Sequence, residues 1–180
     1  LDILEGIDRD RYQVTLVVEL GGGDSWQKRF EACVDEMFVL PRFLPEHGRM
    51  AFLESLLISR NVALVFNRNT SIGYQAIGSW RRRFSEIRCV DLLHSHFGGQ
   101  DWVQASAPYH QDLDRRFVVT EELLEYSAST YALPRSSFRV VHCGVDTSCW
   151  NRSKVMAGAS RREMGIDPSV PLVGFVGRLA

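Results

Sequence analysis

The stretch "RFVVTEELLEYSASTYALPRSSFRVVH", residues 116–142, decides the architecture. Arg116 to Thr120 is a short β-branched run, which favours a strand. Its last residue, Thr120, has a side chain suited to cap a helix. "EELLEYSASTYA" follows as that helix, and its two opening glutamates suit the positive end of the helix dipole. "FRVVH", Phe138 to His142, is a second strand. Strand, helix and strand in one short run make a crossover unit, which joins parallel strands with a right-handed connection.

The same alternation extends outward. Strand signals lie at Gln13 to Leu20, Met37 to Leu40 (stopped by Pro41), Val62 to Phe66, Ile87 to Leu93 and Val170 to Gly177. Between them, Met50, Leu53, Leu56 and Leu57 recur at helical spacing from Pro45 to Arg60. Thr70 or Ser71 caps a helix expected to reach Arg83, and Asp101 to Tyr109 reads as helical. Residues 147–169 are polar and irregular, with one short helix expected near Arg161 to Met164. The pattern predicts an α/β fold with a Rossmann-like, doubly wound parallel sheet.

Composition bounds the function. The chain has 180 residues, 45% of them hydrophobic, which suits one globular domain or one domain plus part of another. A net charge of -1 gives no reason to expect a nucleic-acid partner. Cys33, Cys89, Cys143 and Cys149 form no C-x-x-C pair, so a reduced, cytoplasmic setting is expected. His142, Cys143 and Cys149 match no common zinc spacing, and no metal is expected. The sequence carries neither a signal-type leader nor an apolar run of membrane-spanning length.

In doubly wound sheets, ligands sit beyond the carboxyl ends of the strands. That rule selects "NRNTS", "HSHFGG", "TEE", "HCGVD" and the Gly177-Arg178 pair. His94 and His96 stand two residues apart at a strand end. They suit a metal pair with Asp101 or Asp114, a polar substrate pocket, or local loop bonding. "GGGDS", Gly21 to Ser25, is either a phosphate cradle or a strand-exit loop, and it lacks the dinucleotide and P-loop registers. Trp80, Arg81, Arg82 and Arg83 form a basic, aromatic helix end that is either solvated or a docking patch, for anionic lipid as a peripheral membrane contact or for a charged substrate. The carboxylates of Asp112 and Asp114 read as solvated loop charges. Gly144 lets the backbone turn, Asp146 can start that turn, and Arg178 is placed to grip an anion in two parallel bonds.

"VVHCGVDTSCW" and "LVGFVGRLA", with the linker between them, resemble the junction of retaining, nucleotide-sugar-dependent glycosyltransferases of the GT-B fold, the group 1 or family four enzymes. The approach through residues 116–146 is similar as well, and "NTSIGYQAI" and "VDLLHSHFGG" match more loosely. Cys143 replaces the usual asparagine and His142 a more usual proline.

The resemblance implies the N-terminal half of a GT-B fold, truncated at both ends. Residues 1–150 would be the acceptor-side domain without its first strand, 151–169 a linker, and 170–180 the first strand of the donor-side domain. It implies transfer of a hexosyl group from a nucleotide-sugar such as UDP- or GDP-hexose to a carbohydrate or lipid-linked acceptor, with no cofactor. It puts Gly177 and Arg178 on the donor diphosphate, His94 or His96 near the reacting sugar, and Gly144 and Asp146 at the domain junction. By this resemblance the fragment alone is expected to be inactive, and an unpaired terminal strand would expose apolar surface.

Overall fold

A computed structural model describes residues 1–21, 26–96 and 101–175 of the chain. It divides into two compact units, residues 1–142 and 143–180. The first contains the six strands found among the described residues: β1 (Thr15–Val18), β2 (Glu36–Val39), β3 (Leu64–Asn67), β4 (Arg88–Leu93), β5 (Arg115–Val118) and β6 (Phe138–Val140). Its helices are α1 (Asp2–Glu5), α2 (Gln27–Glu31), α3 (Glu46–Ser59), α4 (Ser71–Trp80), α5 (Trp102–Ser106) and α6 (Glu121–Tyr131).

Every strand pair is parallel, as helical crossovers require. β1 and β2 form one sheet, and β3, β4, β5 and β6 form a second in sequence order. Because the ladders are parallel and in register, β3 to β6 all deliver their carboxyl ends to one edge. That edge is where the site is built.

The strand starts and stops follow local chemistry. β2 ends at Val39 because Pro41 lacks the N–H that a ladder needs, and a short 3-10 turn, Leu40–Arg42, takes over. Thr70 caps α4 by accepting from the Gly73 N–H at 3.1 Å. Thr120 caps α6 by accepting from Leu123 N–H at 3.1 Å. α4 stops at Trp80, three residues short of the Arg83 expected, because Arg83 and Phe84 both turn their N–H groups back to the Trp80 carbonyl.

Two apolar clusters hold the helices to the sheet. Leu53 and Leu57 of α3, Tyr74, Ile77 and Trp80 of α4, and Cys89 of β4 form the first. Leu93, Val103, Val118, Leu123 and Phe138 are in the second, under α5 and α6. Each fully buried aliphatic side chain contributes about 1.5–3 kcal/mol. Phe38, Phe43 and Phe52 meet edge to face and tilted, tying β2 to α3.

A polar cluster is buried among them. Asp91 of β4 and Arg116 of β5 are register partners, and neither side chain is exposed to solvent. Arg116 Nε and Nη2 donate to Asp91 Oδ2 at 3.2 and 3.0 Å. Tyr74 of α4 donates to the same carboxylate at 3.2 Å, and Arg116 also reaches Ser106 of α5. The cluster therefore pins two helices to two strands. Burial, with the Asp91 charge beside it, pushes the Tyr74 phenol far above its ordinary range, so it stays a donor.

The second unit carries one short helix, α7 (Ala159–Glu163), where a helix near Arg161 was expected. Of the strand expected over Val170 to Gly177, the last two residues lie outside the described ones. Residues 171–175 have no regular structure and no ladder partner among the described residues. A strand exists only where a neighbour receives its hydrogen bonds, and local apolar pattern cannot supply one. Val173 and Phe175 are 95% and 83% exposed there.

Candidate functional site

The carboxyl ends of β3 and β4 lie side by side, with Asn67 paired to Asp91. After β3, Asn67 folds its side chain back over the loop. Its Nδ2 donates to the Thr70 carbonyl at 3.3 Å, and Thr70 Oγ1 donates to its Oδ1 at 2.8 Å. Gly73 fits beneath only because it has no side chain: a Cβ there would lie 2.7 Å from Asn67 Cγ and closer still to two side-chain oxygens. The loop is thus built as one piece. On it, Arg68 is exposed and Asn69 adopts a left-handed φ of +52°.

After β4, the two candidate histidines part company. His94 is half-buried, and its Nε2 is enclosed without a hydrogen-bond partner among the described residues. Burial, assisted by the Arg68 guanidinium, holds its pKa below the ordinary value, which keeps the ring neutral. His96 instead stacks on Tyr126 of α6, with ring centroids 3.8 Å apart. Tyr126 and Tyr131 both donate to Asp101 Oδ2, at 2.7 and 2.6 Å, while Asp101 Oδ1 caps α5 through the Val103 and Gln104 N–H groups. Burial pulls the Asp101 carboxyl upward, but these four hydrogen bonds outweigh it and hold the pKa below the usual range. His96 therefore belongs to a packed polar knot, and His94 is the histidine with a ring nitrogen to offer.

The metal-pair arrangement is not formed by the described residues. Asp101 is committed to the two tyrosines, and Asp114 sits before β5, at the other edge of the sheet. Asp114 is a correction to the reading of solvated loop charge. Its side chain is only 20% exposed, accepts from Arg81, Arg88 and the Cys89 N–H, and joins β4 to β5. Among the described residues no group of three or more His, Cys, Asp or Glu side chains is placed to hold a metal ion.

Within the Trp80–Arg83 patch, the structure corrects the place of the tryptophan. Trp80 is 4% exposed and lies in the first core cluster, because it continues the stripe of Tyr74 and Ile77 on α4. Arg81 is paired with Asp114 and Arg83 with Glu54, while Arg82 is exposed and has no carboxylate partner among the described residues. Phe84, which follows, is partly buried against the same cluster with the Arg83 guanidinium over its ring. No described helix is long and apolar enough to cross a membrane.

Beyond β5, Thr120 is committed to its cap and Glu121 and Glu122 are exposed. Beyond β6, His142 donates Nδ1 to the Val119 carbonyl at 3.1 Å, linking the ends of β5 and β6. In the second unit, Asp146 starts the turn expected of it, accepting from Ser148 N–H at 2.8 Å while its carbonyl accepts from Trp150 N–H at 2.8 Å. The Ser148 hydrogen bonds hold the Asp146 pKa low. Gly144 differs from expectation. It is not in the left-handed region, and a Cβ there would meet nothing within 4 Å, so this turn does not require a glycine. Gly177 and Arg178 lie outside the described residues, as do residues 22–25 of "GGGDS".

Two groups at this edge escape a reading of motifs. Arg68 and Asn69 sit in a loop chosen for its position but not for its side chains. The signal was a cation between two asparagines directly after a strand, with no acidic residue in the loop to neutralise it.

Residues 1–148 match the family model described as Glycosyltransferase Family 4. No curated protein matches the chain.

Proposed function

The chain belongs to glycosyltransferase family 4, and from that membership we propose that it forms the acceptor-side wall of a retaining transferase. Its fold is the α/β, Rossmann-like parallel-sheet type, its role is of the glycosyltransferase type and its substrates are sugars. The donor in this reading is a nucleotide-sugar, such as a UDP- or GDP-hexose, and the acceptor a carbohydrate or a lipid-linked sugar. Residues 1–150 supply the acceptor side, 151–169 connect, and 170–180 open the donor side.

The observation that carries the reading is His94 Nε2 at the strand edge, on a neutral ring and without a hydrogen-bond partner among the described residues. A neutral imidazole nitrogen there can hydrogen-bond a sugar hydroxyl and orient it toward the anomeric carbon. His96 supports that edge through its stack on Tyr126. Departure of a nucleoside diphosphate builds negative charge, which the Arg178 guanidinium, freed by Gly177 to approach closely, would hold with two parallel bonds. In this reading Gly144 and Asp146 lie at the junction of the two sides, and Asp146 starts its turn. Free thiols at Cys143 and Cys149 suit action in the reducing cytoplasm.

The test is a transfer assay on the protein expressed from its complete reading frame, with UDP- and GDP-hexoses as donors. The expected product keeps the anomeric configuration of the donor, and His94→Ala lowers kcat by about 100-fold. Inversion at the anomeric carbon, or an H94A variant as fast as the parent, overturns the reading.

A further inference from the structure

Side chains alternate along a strand, so the parallel registers sort β3 to β6 into two faces. Val65, Cys89, Leu93, Val118, Phe138 and Val140 share one face, and all belong to or pack against the two core clusters that hold the helices. Leu64, Phe66, Val90, Leu92 and Phe117 share the other, and none of them is in either cluster. Leu64 and Phe66 are 55% and 41% exposed there. All-parallel sheets are packed on both faces, so this apolar face lacks its second layer among the described residues.

The bare face has a charged border. Arg88, Arg115 and Arg139 are exposed and stand on it too, because Arg88 pairs with Leu64, Arg115 with Val90 and Arg139 with Phe117. Each step to the next strand moves the arginine two residues along. The three therefore form a straight row, with neighbours about 8 Å apart from strand spacing and rise. The apolar side chains lie on the carboxyl side of that row. Arg88 is bonded to Asp114, whereas Arg115 and Arg139 have no carboxylate partner among the described residues. No acidic residue of β3 to β6 stands on this face.

An apolar field edged by unpaired cations calls for its complement, an element apolar on one side with carboxylates along a flank. A helix has that form. Its diameter of about 10–12 Å spans two strand spacings, and helices are what cover the faces of parallel sheets. A second copy presenting the same face would offer these arginines no carboxylate.

We propose that this face docks an amphipathic helix with an apolar stripe and an acidic flank. Leu64, Phe66, Val90 and Phe117 take the stripe, and Arg115 and Arg139 pair with the flank. The inference rests on the sheet alone and is independent of the transferase reading.

Titration calorimetry on the 180-residue chain tests it with two synthetic peptides of about 18 residues, long enough to hold a helix. Both carry leucines at helical spacing, and the flank is glutamate in one and lysine in the other. The glutamate peptide is expected to bind about tenfold or more tightly than the lysine peptide. Arg115→Glu together with Arg139→Glu inverts the preference, and the milder pair Arg115→Gln and Arg139→Gln removes it without inversion. Phe66→Ser weakens the glutamate peptide about tenfold. No binding of the glutamate peptide, equal binding of the two, or a preference untouched by the arginine changes overturns the proposal. So does binding to phosphatidylglycerol vesicles that the glutamate pair abolishes, which would make the face a membrane contact. Sedimentation as a dimer that Phe66→Ser dissolves would give the face to a second copy and overturn it as well.

Discussion

Asp91 and Arg116 face one another across the β4–β5 ladder with both side chains fully buried, and the pair also gathers Tyr74 and Ser106. Removing one partner leaves the other charged and unpaired in the core. Asp91→Asn or Arg116→Met alone should therefore lower the unfolding free energy by about 3–5 kcal/mol. The double variant should lose clearly less than the sum of the two. Urea denaturation of the three variants measures this, and simple additivity would show that the pair does not act as a unit.

The strand-edge loop depends on the bare backbone of Gly73. Gly73→Ala should destabilise the fold by about 1–3 kcal/mol, because the new methyl must displace Asn67 or Thr70. Adding Asn67→Ala to that variant removes the obstruction and should recover part of the loss. A G73A protein as stable as the parent would mean that the loop yields freely.

His94 links the same edge to pH. Its folded pKa lies below the ordinary 6.5, first through burial and then through the Arg68 charge. The unfolded chain thus takes up this proton more readily than the folded one. Stability contributed by His94 is full above the ordinary value and falls as pH drops below it toward the folded value. Imidazole signals followed by NMR should titrate below 6.5, and R68M should move the midpoint upward. A midpoint unchanged by R68M would separate the two residues.

The cysteines should divide by burial. Cys143 and Cys149 are exposed and should react with a thiol reagent in the native state. Cys89 is buried and its thiol is pushed up to about 11, chiefly by burial, so it should react only on unfolding. Stoichiometry before and after addition of guanidinium gives the answer.

How much of this was legible depends on how local each cause is. The β-branched runs around Val90 and Val118 and the caps at Thr70 and Thr120 act within a few residues, so their elements were readable. Arg116 was not. It reads as a polar strand end until Asp91, 25 residues earlier, is brought across the ladder. Trp80 was misread because "WRRRF" shows charge but not facing, although Tyr74, Ile77 and Trp80 at three-residue steps mark one helical face. The Val170–Gly177 run has the composition of a strand, but pairing belongs to the neighbour. At the site, the position of "NRNTS" and "HSHFGG" followed from topology, whereas the different fates of His94 and His96 depended on Tyr126, which no spacing rule connects to them.

Sugars should bind at the carboxyl ends of β3 to β6, and amide chemical-shift mapping with glucose 6-phosphate tests that most directly. The prediction is a set of shifts concentrated at residues 67–70 and 94–96, with smaller ones at 119–122. Shifts gathered instead around Asp114, Arg81 and Arg88, at the opposite edge of the sheet, would contradict it.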